Sequence, residues 1–138
     1  MKRTMTGIIL LLSFAPGYAV AQAPREKIAM TAPVSQKSSP DGWVISFTMP
    51  AEYTMASLPR PVDPAIRLVE KPARRMAVVK FSGLAGEGRM QTKKRELLDM
   101  VAKSGLAPVG DPLFAFYDPP WTLPFLRRNE VMVEVVAN

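Results

Sequence analysis

Proline sets the first limit on what this chain can fold into. Pro33, Pro50 and Pro72 each stop or interrupt an apolar run, and the segment from Pro50 to Pro64 carries four prolines. Proline locks φ and lacks an amide donor, so each such site ends a strand or confines it to an edge. The apolar pattern therefore has to be read in short pieces. Trp43–Met49 alternates, with Trp43, Ile45, Phe47 and Met49 on one face and Val44, Ser46 and Thr48 on the other, which predicts a half-buried strand. Ile28–Val34, Ile66–Lys71, Arg75–Phe81, Phe114–Tyr117 and Val131–Val136 read as further short strands. Ser35–Gly42 reads as a turn cluster, and Pro108, Gly110 and Pro112 as a loop. One helix is predicted, from Glu87 to about Ser104, because Met90, Leu97 and Val101 fall on one stripe and Gly105 supplies a stop. Together these give a single α+β domain, an antiparallel sheet or partial β-barrel of about six strands with one flanking helix.

The amino terminus has the three parts of a secretory signal in order: basic Met1-Lys2-Arg3, the apolar run Ile8–Ala15, and the small-residue pattern Ala19-Val20-Ala21. The run is too short for a membrane-spanning helix, which needs about 20 apolar residues. The expectation is cleavage after Ala21, a signal peptide over 1–21, a domain over 22–138, a periplasmic or secreted product, and no stable membrane insertion after cleavage. Removing Lys2 and Arg3 from a net charge of +6 leaves +4, a mild excess that favours acidic ligands. The chain has no cysteine, so its core must hold by burial alone.

Histidine is also absent. That excludes a histidine-based nucleophilic triad and any histidine- or thiolate-based zinc site. Glu52, Asp63, Glu70 and Asp111 lack the spacing of a catalytic carboxylate pair, and Gly83, Gly86 and Gly88 match no phosphate-loop fingerprint. No catalytic residue and no enzymatic activity is expected. Lys93-Lys94-Arg95 reads as a solvated helix face, and no aromatic-basic motif points to nucleic acid.

The most informative stretch lies near the carboxyl end, Tyr117-Asp-Pro-Pro-Trp-Thr-Leu-Pro-Phe-Leu-Arg-Arg128. Pro119, Pro120 and Pro124 leave the loop little freedom to fold inward and hide Trp121, Leu123 and Phe125. An apolar, preorganised loop with Arg127 and Arg128 at its exit suits a flat ligand with an acidic edge. The alternative is that Trp121 and Phe125 plug the end of a sheet.

Four blocks carry a resemblance. Lys27-Ile-Ala-Met-Thr-Ala-Pro-Val34, Met49-Pro-Ala-Glu-Tyr-Thr-Met55, Pro72–Arg75 with Val79–Gly83, and Tyr117–Val131 resemble the SOUL haem-binding proteins, in that family's order. The resemblance implies a twisted antiparallel barrel built from two similar α+β halves, and reversible, non-covalent binding of haem or other tetrapyrroles. Family members carry a strand and a helix before the first block, and here the leader runs almost straight into it. The domain is thus expected to lack its first strand and helix and to carry an open sheet edge. Trp121, Leu123 and Phe125 would clasp the ring, with Tyr117 beside it and Arg127 or Arg128 pairing a propionate. With no His or Cys, an axial ligand could come only from Met30, Met49, Met55, Met76, Met90, Met100, Met132, Tyr53 or Tyr117. The competing reading is a shortened interaction domain that forms a homodimer through its open edge and binds no cofactor. A third is an effector pocket for a non-haem amphipathic molecule.

Overall fold

The computed structural model describes residues 7–12, 28–29 and 31–137. Its elements are β1 (Gly7–Leu12), β2 (Val34–Ser39), β3 (Gly42–Thr48), β4 (Ile66–Lys71), β5 (Met76–Phe81), α1 (Glu87–Lys103), β6 (Leu106–Phe116) and β7 (Asn129–Ala137). Every pairing is antiparallel, and the strands form one sheet in the order β4-β1-β3-β2-β6-β7-β5. The α+β class and single helix are as predicted. The sheet is open, with β4 and β5 at its edges, so it is not a closed barrel.

Apart from the edge strand β4, the order is symmetric about the β2–β6 pair: β2, β3 and β1 lie outward on one side and β6, β7 and β5 on the other. Each half is a strand, a connection, and a hairpin whose second strand pairs with the first. Only the second half has a helix among the described residues. Leu97 and Val101 of α1 pack on Val79, Phe114, Val131, Val133 and Val135, with Met90, Ala77 and Phe116 at the margin. Leu97, Val131 and Val133 are fully buried, each contributing about 1.5–3 kcal/mol by burial. The opposite face of the sheet buries Met76, Ala115 and Met132 against Leu113 and Tyr117.

Three local predictions are corrected. Residues 28–29 and 31–33 are not strand; the strand is Val34–Ser39, most of which the sequence presents as a turn. Only Pro40 and Asp41 turn, and Gly42 takes the positive φ of +123° that lets β3 begin at once. Polar Ser35 and Gln36 are tolerated inside the sheet because β3 and β6 satisfy their backbone on both sides. Likewise Pro108, Gly110 and Pro112 do not make a loop. β6 runs through them, with a register shift against β7 between Val109 and Leu113 that absorbs the missing donors.

A strand also forms where the leader is expected. Residues 7–12 pair with Ile45–Thr48 of β3 on one side and with all six residues of β4 on the other. A first strand is thus present in the described residues, whereas the expected cleavage site, with residues 13–27, lies outside them. Release after Ala21 would leave β4 with no partner strand among the described residues.

Leu10 lies opposite Phe47 and Leu68 in the two flanking strands. Proline there removes a ladder donor inside the sheet and fixes φ. Leu10→Pro should therefore lower the urea stability of the uncleaved chain by about 3 kcal/mol or more. An unchanged midpoint would mean that the run dangles from the fold.

Candidate ligand site

The connection from β6 to β7 is a braced finger. At its base the Tyr117 amide donates to the Arg128 carbonyl at 3.2 Å, and the Asp118 carboxylate accepts from the Arg128 amide. Further out, Thr122 N–H donates to the Pro119 carbonyl at 3.0 Å. Leu126 and Arg127 close a short 3-10 turn over Pro124–Leu126. The finger is tied sideways to the β5–α1 linker: Gly83 N–H donates to the Pro124 carbonyl at 2.8 Å, and the Asn129 side-chain amide donates to the Gly83 carbonyl at 2.9 Å. Gly83 has φ of +98°, a conformation that L side chains rarely adopt, so a substitution there would strain the backbone that carries this tie; the Cβ itself would meet only the movable Arg89 guanidinium.

Braced by these hydrogen bonds and by its prolines, the finger presents its apolar side chains to solvent. Trp121 is 83% exposed, Phe125 70% and Leu123 55%. Leu126 is exposed on the finger as well and was not predicted. Its signal was the Pro-Phe-Leu turn, in which Phe125 and Leu126 cannot both face inward. The plug reading of Trp121 and Phe125 does not match this exposure.

The two arginines do different work. Arg127 folds back along the finger, with Nε donating to the Thr122 carbonyl at 2.7 Å and Nη2 to the Pro120 carbonyl. Arg128 turns to the base. It donates to Glu130 from Nε at 2.9 Å and from Nη2, and stacks on the Tyr117 ring 4.3 Å from its centroid. Tyr117 Oη donates to the second Glu130 oxygen at 2.7 Å. Glu130 is only 4% exposed and is satisfied by these donors, and its hydrogen bond holds the Arg128 pKa above the usual guanidinium range. The Nη1 group of each arginine makes no hydrogen bond to the described residues.

Of the predicted set, the structure brings Tyr117 and Arg128 into contact and folds Arg127 onto the loop that carries Trp121 and Leu123. None of Trp121, Leu123 and Phe125 lines either of two cavities in the surface. One, of about 400 Å³, is nearly all apolar and is lined by Ile28, Phe47, Met49, Leu58, Ile66 and Leu68, with Arg60 beside them. Its Phe47 lies opposite Val34, which lies opposite Phe116, so the finger's root and this cavity share one end of the sheet. They stand two strand spacings apart, about 10 Å. The other cavity lies along β5 and α1 and reaches Arg128.

Among the candidate axial ligands, Met76 and Met132 are buried in the sheet, and Met55 and Met100 are exposed. Met30 lies outside the described residues. No group of three or more metal-ligating side chains gathers among the described residues. Beneath the sheet Lys71 has a lowered pKa, through burial first and then repulsion from Arg74 and Lys37, with Glu134 opposing.

Because Glu130 is buried and holds both ends of the finger, Glu130→Ala should lower the thermal midpoint well below that of Glu134→Ala. Glu134 makes a single 3.4 Å contact with Arg74 in a partly exposed pair. Equal midpoints for the two variants would remove Glu130 from this role.

No curated protein matches the chain. The model of the SOUL haem-binding protein family matches residues 3–134 and so takes in β1 to β6, α1, the finger and most of β7. With nearly its full length covered, the chain belongs to the SOUL haem-binding protein family.

Proposed function

We propose that this protein binds haem or a related tetrapyrrole reversibly and without covalent attachment, and that it has no catalytic role. Family membership makes haem the candidate ligand. The observation that supports the finger as its site is the exposed surface of Trp121, Leu123 and Phe125 on a loop with little freedom to collapse. A flat apolar ring fits such a surface, since the protein gives up little conformational entropy in meeting it. Arg127 and Arg128 each keep an Nη1 group for an acidic ring edge, while their other donors hold the finger and its base. Tyr117 contributes by positioning Arg128. The donor set fits the ring better than the iron: with neither His nor Cys in the chain, axial ligation falls to Met, Tyr or none. Bound haem supplies redox and small-molecule chemistry at its iron. The residues described here bind the ring and orient its edge.

The leader-like residues Met1–Ala21 support a periplasmic or secreted location. No helix among the described residues is long and apolar enough to cross a membrane. In a cleaved product, loss of β1 would open β3 and strip β4 of its partner. This favours the second reading, a homodimer through an exposed sheet edge, for that form of the chain.

Haemin titration, followed by the Soret band and tryptophan quenching, tests the first reading. Trp43 is also half exposed, so quenching should be read in a Trp43→Phe background. Saturation near one equivalent is expected, weakened about tenfold or more by Trp121→Ala, a loss of roughly 1.4 kcal/mol. Arg127→Ala should weaken it too, by loosening the finger. Linear uptake without saturation, together with a dimer in sedimentation, would favour the interaction domain instead. The intact mass of protein recovered from the periplasm or medium tests export: loss of residues 1–21 is expected, and a full-length product would show that the strand is kept.

A further inference from the structure

The larger cavity, about 650 Å³, runs along the outer edge of β5 and is closed on one side by the second half of α1. It falls within the size range of sites that bury most of a small ligand. Its floor is the hydrophobic core itself, Leu97, Val101 and Leu106, and its walls include Met76, Val78 and Met100. Unbranched thioethers adapt to irregular apolar shapes, and Met100 stands half exposed at the mouth. The outer edge of β5 has no partner strand among the described residues.

Charge selects the kind of molecule that fits. Arg75 and Lys80 line the cavity toward opposite ends of β5, both exposed, and neither pairs with a carboxylate among the described residues. The cavity's one carboxylate, Glu130, already serves Arg128 and Tyr117. The lining is therefore apolar with two uncommitted cations and no uncommitted anion. At about 3.3 Å per residue, the β5 edge offers an apolar track of some 15–20 Å between the cations. We infer that this groove between β5 and α1 is a second binding site, separate from the finger, for an apolar molecule bearing a carboxylate, with either Arg75 at one end of the track or Lys80 at the other receiving the anionic end. A fatty acid and a tetrapyrrole propionate share that chemistry.

Calorimetric titration of the full-length protein separates the sources. The probes are decanoate, decanol and iron-free protoporphyrin IX, and the variants are Arg75→Glu with Lys80→Glu, and Trp121→Ala. Both charge reversals are at exposed positions, so folding should survive, and circular dichroism checks it. Saturable decanoate binding near one equivalent is expected. It should weaken about tenfold or more on double charge reversal, stay unchanged in Trp121→Ala, and exceed decanol binding by a similar factor. If decanoate fails but protoporphyrin shows a component lost on charge reversal and kept in Trp121→Ala, the site exists and its ligand is the tetrapyrrole. The inference is overturned if neither carboxylate saturates, or if every saturable component disappears with Trp121→Ala and ignores the charge reversals. Haemin binding at the finger can fail or succeed independently of all three outcomes.

Discussion

A buried carboxylate holds the finger end of this molecule together. Glu130 accepts from Tyr117 at the start of the finger and from Arg128 at its end. One side chain on β7 thus fixes the width of the loop's base. A carboxylate so deeply buried is costly unless its oxygens are satisfied, and here both are. The stacking of Arg128 on Tyr117 then fills the space between the two partners. From this base outward, prolines and the Arg127 hydrogen bonds carry rigidity to the tip. Large apolar side chains can remain in water there because the backbone leaves them nowhere to go.

The sheet has a comparable economy. Two hairpins meet along β2 and β6, each completed by a strand that returns to its far side. In the second half a helix covers the resulting apolar face. In the first half the same face of the sheet carries Phe47, Ile66 and Leu68 and opens into the smaller cavity. The asymmetry of covering, more than any difference in strand arrangement, makes the two halves unlike in chemistry.

Much of this was legible in the residues. The helix was read to within one residue of its end, because Leu97 and Val101 meet both the periodicity and the burial tests. β3 followed from strict alternation and β7 from its β-branched run. The polar strand β2 was missed because Ser35-Gln-Lys-Ser-Ser39 carries turn-like chemistry, and only its neighbours make it a strand. The start of β6 was missed because a bulge lets a strand accommodate the residues that normally end one. The exposure of Trp121 and Phe125 was foreseeable from proline spacing. The inward bonds of Arg127 and the Glu130 bridge were not, since they join residues whose meeting depends on the fold of the loop.

The position of β1 also bears on the order in which the polypeptide is completed. Its six residues emerge from the ribosome early, yet the strand that closes its far side is made some fifty residues later. At synthesis rates of about 5–20 residues per second, that interval lasts several seconds. Throughout it an apolar segment flanked by a basic start has no finished slot to enter. The nascent sheet thus acquires the pairing of this segment late, only once β3 and β4 have both been made.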